Sequence, residues 1–356
     1  RKIQRIDEAD DFPEIAGGRV AVFIGSHAIW SKQESDALEN FCAAKNAVVF
    51  CDHTSNYNGR YRILGSILAC QKMLKMSAYQ PETLIHIGEI SGEYYSLRGI
   101  SGKLVWRVSK DGEIRDTFRM LRYVVEMTEK AFFERYAESQ GSESNDYWRE
   151  CTSCIDRLNQ KVPELPFSNI WIASRIAPRI PDSSVVHLGI LNSLRSWNFF
   201  EMSGSVSSAS NVGGFGIDGG ISSLVGASLA RRDKLYFGVI GDLAFFYDMN
   251  VLGNRHVNRN LRILLVNNGK GTEFKNYNHH TSHFGDRADD FIAAAGHFGN
   301  KSATLVRHFA QDLGFEYLSA ANKEEFEERH ERFIVPQLTE RPILFEVFTD
   351  SAKESK

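Results

Sequence analysis

The sequence has no apolar run of the roughly 18 residues that a membrane-spanning helix requires, so no membrane partner is expected. It has no block of Lys and Arg long enough to form a nucleic-acid-binding arm, and with a formal net charge of −3 no nucleic-acid partner is expected either. A disulfide framework is lacking: the five cysteines, Cys42, Cys51, Cys70, Cys151 and Cys154, form an odd set without scaffold spacing. Cys151 and Cys154 make a CxxC, but no second ligand pair accompanies them, and they read as two helix residues one turn apart. The opening residues, through Asp11, are charged and carry no apolar signal core. With the thiols, this points to a reducing, cytoplasmic setting. Internal repeats and low-complexity tracts are missing too. What is present is 356 residues, 42% hydrophobic and 24% charged, the balance of a globular protein with room for two domains.

Short strand-like runs alternate with helical stretches along the first third. Residues 19–25 (Arg-Val-Ala-Val-Phe-Ile-Gly) form a buried-strand run closed by Gly25. Ser31 then caps a helix reaching about Ala44, with Glu34 completing a capping box. Residues 48–51, 84–88 and 103–107 are further strands. Strands of this length separated by helices predict an α/β fold with parallel sheets, here two three-layer domains. Residues 117–165 change character and read as long, amphipathic and helical, broken by a polar patch at 141–146. The division expected is a central α/β domain at 1–125, a helical linker region at 126–165, and a C-terminal domain at 166–356. In the last, strands are expected at 185–188, 235–240, 261–266 and 343–347.

Two of those strands end in polar groups. The run at 235–240 leads into Gly241-Asp242, and the run at 261–266 leads into Asn267-Asn268-Gly269, with 25 residues between Asp242 and Asn268. Each group sits just past the carboxyl end of a strand, where open α/β sheets bind ligands. The Asp242 carboxylate, the Asn268 amide oxygen and a nearby main-chain carbonyl are hard oxygen donors that suit Mg²⁺, with phosphate and water completing the octahedron. Gly269 and Gly271 allow close backbone approach to phosphates. Upstream, residues 211–220 (Asn-Val-Gly-Gly-Phe-Gly-Ile-Asp-Gly-Gly) form a glycine loop in which Ile217 is the bulky aliphatic. Downstream, His279, His280 and His283 lie on a polar loop that could touch substrate, hold a metal, or simply be exposed. Asp248 and Asn250 are expected to cap or brace the helix after Gly241-Asp242 rather than to touch substrate. The charged run at 324–332 is expected to be a solvated helix face.

Gly-Asp, about twenty-five residues, then Asn-Asn resembles the signature of thiamine diphosphate enzymes. The narrower strings Ser210-Asn-x-Gly-x-x-Gly-Ile-Asp-Gly219, Gly241-Asp-Leu-x-x-x-Tyr-Asp-x-Asn250 and Val266-Asn-Asn-Gly269 are similar to those of the MenD family. These are the menaquinone-pathway synthases that join a succinyl semialdehyde unit from 2-oxoglutarate to isochorismate. The resemblance covers their middle and C-terminal domains over nearly the whole chain. It implies thiamine diphosphate and Mg²⁺ as cofactors, and a 2-oxo acid and an acceptor as substrates. It implies Asp242, Asn268 and the Lys270 carbonyl as metal ligands. Gly214, Phe215, Ile217, Gly241, Leu243 and the metal-ligand residues would line the cofactor, with Ile217 wedged between its two rings. Arg195, His279 and His280 would face substrate.

The chain also departs from that pattern. It reads straight into the middle domain, so the pyrimidine-binding domain is expected to lie outside it. No glutamate here takes that domain's activating role, and no catalytic residue is assigned. Such sites form between chains, which implies a homo-oligomer once complete. In the substrate clamp, Arg195 keeps its place in Gly189-Ile-Leu-Asn-Ser-Leu-Arg195, but Ile190 and Leu191 replace an Asn-Ser pair. Val212 stands where an Arg follows Ser-Asn, and Gly92-Glu-Tyr94 falls near a Gly-Lys-Arg. The expected activity is therefore a decarboxylase or carboligase with an altered carboxylate clamp. A true menaquinone synthase with a rebuilt clamp, or a cofactor-binding subunit without turnover of its own, remain the alternatives.

Overall fold

A computed structural model describes residues 2–354 apart from 8–9, 16, 71–73, 139–143, 215, 276–278 and 292–301. The chain divides into two compact units, Arg1–Pro163 and Glu164–Lys356.

The first unit contains strands β1 (Gln4–Ile6), β2 (Val20–Ile24), β3 (Ala47–Cys51), β4 (Arg62–Leu64), β5 (Thr83–Ile87), β6 (Leu104–Ser109) and β7 (Leu121–Glu126). They form one parallel sheet in the order β1-β7-β6-β5-β2-β3-β4. β2, β3 and β5 are buried at every position, because a parallel sheet with helices on both faces leaves no strand residue to water. Alternate residues serve opposite layers. Val22, Val49 and Ile85 join one core with Phe41 of α1 (Lys32–Lys45) and Phe132 and Phe133 of α4 (Glu129–Ala137). Phe23, Phe50 and Leu84 join the other with Tyr147, Cys151 and Cys154 of α5 (Asp146–Asn159). The short helices α2 (Ser66–Ala69) and α3 (Tyr94–Gly99) complete the unit. The Ser31 capping box of α1 is formed, with Ser31 accepting from Glu34 N–H and Glu34 from Ser31 N–H.

Residues 117–165, expected to be helical throughout, instead carry β7 before α4 and α5. The correction has a physical cause. Leu121, Val124 and Val125 are buried in the sheet, where the Val- and Tyr-containing run Leu121–Glu126 has the composition of a strand and pairs with β1 and β6.

The second unit runs from α6 (Asn169–Ile176) through β8 (Val185–Leu188), α7 (Asn192–Trp197), β9 (Ser207–Ala209), α8 (Gly220–Ser228) and β10 (Tyr236–Gly241) to α9 (Asp242–Asp248) and β11 (Leu261–Asn267). It closes with α10 (Leu305–Asp312), β12 (Glu316–Ala320), α11 (Lys323–Phe333) and β13 (Ile343–Phe348). Its six strands are parallel in the order β12-β13-β11-β10-β8-β9. One face packs on α6, α7 and α11 and the other on α8, α9 and α10, so this unit is also an α/β sandwich of three layers. No helix among the described residues is long and apolar enough to cross a membrane.

A candidate ligand cleft at the carboxyl edge of the second sheet

β8, β10 and β11 are neighbours in the sheet and point their carboxyl ends the same way. The loops leaving them surround a cleft of about 760 Å³, within the usual few-hundred-to-thousand Å³ range of small-molecule sites. Its wall is built from three strand ends: Gly189 to Ser193 after β8, Gly241 to Ala244 at the end of β10, and Asn268 with Lys270 to Glu273 after β11. Gly216, Ile217 and Asp218 of the glycine loop line it too.

Asp242 anchors this arrangement. It is 2% exposed, its Oδ1 accepts from Leu243 N–H (2.7 Å), and its Oδ2 accepts from Gly269 N–H (2.5 Å). The bond from Gly269 ties the end of β10 to the turn after β11. Gly269 has φ 81°, a left-handed conformation that favours glycine, and its N–H also reaches Asn267 Oδ1 (3.2 Å). Asn268 Oδ1 accepts from Lys270 N–H (3.2 Å). The turn thus gathers a carboxylate and an amide oxygen at one place. These hard oxygen donors are few enough to leave Mg²⁺ positions for phosphate and water, so the residues fit a magnesium–diphosphate group.

Behind the turn sits a buried polar chain. Asn267 Nδ2 donates to Glu346 Oε1 (2.8 Å), and Tyr317 Oη donates to Glu346 Oε2 (2.7 Å). Glu346 is 1% exposed. Burial pushes its carboxyl above the ordinary range, the Asn267 and Tyr317 bonds oppose that rise, and the charge of Asp242 adds to it. Glu354 accepts from Asn169 N–H and from Thr349 Oγ1 (2.6 Å), and burial raises its carboxyl as well.

Of the residues singled out from sequence, Ile217, Gly241, Asp242, Leu243, Asn268 and Lys270 come together in the cleft. Phe215 lies outside the described residues. Gly214 and Arg195 are not among the described lining residues. Arg195 instead forms a two-bond ion pair with Glu273, which does line the cleft (2.6 and 3.2 Å). His279 and His280 do not line it either; His279 Nδ1 bonds Thr281 Oγ1 (2.6 Å) and His280 is exposed. Asp248 accepts from Ser222 N–H (2.7 Å) and Ser222 Oγ (2.5 Å). It therefore caps α8 rather than bracing α9, the helix it ends, because the exposed donors are at the α8 N-terminus. Sequence reasoning missed Asn169, Asn192, Tyr247, Thr272 and Glu273 as lining residues. Thr272 and Glu273 had a signal, since they follow the Asn-Asn turn within five residues. Asn169, on α6, had none.

Leu191, beside Arg195 on the β8 loop, adopts φ 71° and ψ −120°, a conformation that L side chains rarely take and that concentrates at functional sites. Val212 is 5% exposed and belongs to the apolar core. In the first unit, Glu93 is fully buried and caps α3 by accepting from Tyr95 and Ser96 N–H (2.9 and 2.6 Å).

No family model matches the chain. Among curated proteins, it is 32% identical over 255 residues to the 2-succinyl-5-enolpyruvyl-6-hydroxy-3-cyclohexene-1-carboxylate synthase of Bacteroides fragilis, covering 70% of this chain and 43% of that protein. The synthase of the same name from Phocaeicola vulgatus is 33% identical over 256 residues, with 70% and 43% covered. That from Desulfotalea psychrophila is 28% identical over 246 residues, with 67% and 44% covered. The aligned part covers 43–44% of the length of these three relatives. Over the part it spans, the chain belongs to the MenD family, the 2-succinyl-5-enolpyruvyl-6-hydroxy-3-cyclohexene-1-carboxylate synthases, among the thiamine diphosphate-dependent enzymes.

Proposed function

We propose that the second unit is the diphosphate- and Mg²⁺-binding part of a thiamine diphosphate-dependent 2-oxo acid decarboxylase or carboligase whose carboxylate clamp differs from that of its relatives. One observation carries this reading: the Asp242 carboxylate and the Asn268–Lys270 turn meet in one cleft, joined by the bond from Gly269 N–H to Asp242 Oδ2 (2.5 Å). Asp242, Asn268 and the Lys270 carbonyl would ligate Mg²⁺ and through it the diphosphate. Gly241 and Leu243 would flank the diphosphate, and Ile217 would support the cofactor between its rings. Bound thiamine diphosphate supplies an electron sink for the carbanion left when a 2-oxo acid loses CO₂. The protein's part is to hold the diphosphate, exclude water and orient the 2-oxo acid.

The altered clamp is supported by Val212, whose buried apolar side chain offers no cation, and by Arg195, whose fork Glu273 engages. The matched relatives are more than twice as long as the part aligned. A pyrimidine-binding domain, in the same longer protein or in a separate subunit, would complete the site, within a homo-oligomer. The five free thiols suit a cytoplasmic setting.

Calorimetric titration with thiamine diphosphate, with and without Mg²⁺, tests the reading against an Asp242→Ala variant. Binding is expected to require Mg²⁺ and to vanish in the variant. Binding indifferent to Mg²⁺ and to the substitution would overturn it.

A further inference from the structure

We infer that Glu273 is a specificity-determining residue: it fills the Arg195 carboxylate receptor from within, so that a substrate reaching this wall meets an anion and not a cation. The inference rests on the 2-oxo acid reading above and deepens it. The Arg195 side chain is 9% exposed, and its Nη1 and Nη2 donate to Glu273 Oε2 and Oε1 at 2.6 and 3.2 Å. A planar fork presented this way is the geometry by which proteins bind carboxylate ligands. Here the occupant is a side chain from the loop after β11, and it, rather than the arginine, faces the cleft with 23% of its surface exposed.

The neighbouring groups support the same assignment. Asn192, on the helix that carries Arg195, donates to Thr272, the residue before Glu273, so two adjacent bonds fasten the β11 loop to α7. Asp218 lines the same cleft, and Ile190 and Leu191 add apolar wall. Lys270, the lysine that lines the cleft, has its Nζ 3.7 Å from Asp289. A second carboxylate on the substrate would have to displace Glu273 from a largely buried ion pair and would leave that anion without its partner. A neutral arm bearing hydroxyl groups would instead donate to Glu273 while the pair stays closed. The substrate class that fits is a 2-oxo acid or acceptor without an additional carboxylate at this wall.

The test compares binding of 2-oxoglutarate by the unaltered chain, Glu273→Gln, Glu273→Ala, and the double variant Glu273→Gln with Arg195→Gln, each checked for folding by thermal unfolding. Glu273→Gln keeps the shape and a hydrogen-bond acceptor, so it remains informative if the alanine variant is unstable. The unaltered chain is expected to bind 2-oxoglutarate weakly, Glu273→Gln about tenfold or more tightly, and the double variant weakly again. Equal affinity in the unaltered and Glu273→Gln chains, or a gain that survives loss of Arg195, overturns the inference. Thiamine diphosphate titration of the same variants separates this from the broader reading. Cofactor binding with no 2-oxoglutarate discrimination sinks Glu273 alone, whereas Mg²⁺-independent binding unaffected by Asp242→Ala sinks the cofactor site and leaves the 2-oxoglutarate comparison to be judged by itself.

Discussion

Asn267 and Asn268 are adjacent in sequence but do different work. Asn268 points its amide at the cleft turn, whereas Asn267 turns back into the unit and is held by Glu346. Glu346 has two donors aimed at it and almost no water, so its removal strands the Asn267 amide and the Tyr317 hydroxyl. Glu346→Leu is expected to cost about 2–4 kcal/mol, from one or two buried polar groups left unsatisfied. Glu346→Gln can serve both partners through its oxygen and its NH₂, and is expected to cost less than about 1 kcal/mol. Equilibrium urea unfolding of the two variants measures the difference, and equal losses would mean the hydrogen bonds do not matter. Asp242 and Asn268 were legible in the sequence because each follows an apolar run that can only be a strand. Glu346 was not, since it sits in the middle of such a run, 79 residues from its partner. The pairing of Arg195 with Glu273 was hidden for the same reason, the two lying 78 positions apart.

At the scale of elements, the helices that the sequence announced were those whose caps are local. Ser31 and Glu34 lie three residues apart and the box they form is visible in the string. α8 is different: Gly219 at its N-cap offers no side chain, and the acceptor for Ser222 comes from Asp248, 26 residues later. Asp248→Ala therefore removes a remote cap and is expected to destabilise the protein by about 1–2 kcal/mol, the cost of losing a good N-terminal acceptor. Asp248→Asn, which keeps an acceptor, should recover most of that loss in thermal unfolding; failure of both variants to shift the midpoint would contradict the capping role. α11 shows the opposite error of emphasis. Its charged run reads as a solvated face, and its outer side is one, but Phe326, His330 and Phe333 form a buried stripe. β7 was misread because its burial comes from pairing, and β1, β4 and β9, at three residues each, carry too little pattern to be seen.

Taken as a whole molecule, each unit encloses a histidine that must stay neutral. Burial first, with Arg107 and Arg115 adding, brings His86 of the first unit down to about 3, and burial brings His187 of the second down to about 4. In the unfolded chain both titrate near 6.5. Between those values the unfolded state binds more protons than the folded one, so stability rises with pH up to about 6.5 and is lost as pH falls below it. Unfolding free energy should therefore fall by a few kcal/mol between pH 7 and pH 4. Glu346 and Glu354, with raised carboxyl values, oppose this over part of the range, because they favour the folded state when protonated. His86→Phe and His187→Phe should each flatten part of the acid slope in denaturant titrations run from pH 7 to 4. An unchanged slope in both would show that the histidines are not its source.

By itself the sequence determined the alternation of strand and helix, the parallel α/β class, and the two loops that carry the oxygen donors. These follow from local quantities: apolar runs too short for helices, caps three residues apart, and polar groups placed directly after strand ends. The tertiary structure decided which loops become neighbours, because strand order in a parallel sheet is set by crossover helices and not by proximity in the chain. It put β8 beside β10 and β10 beside β11, and so placed Glu273, from the loop after β11, on Arg195 of α7.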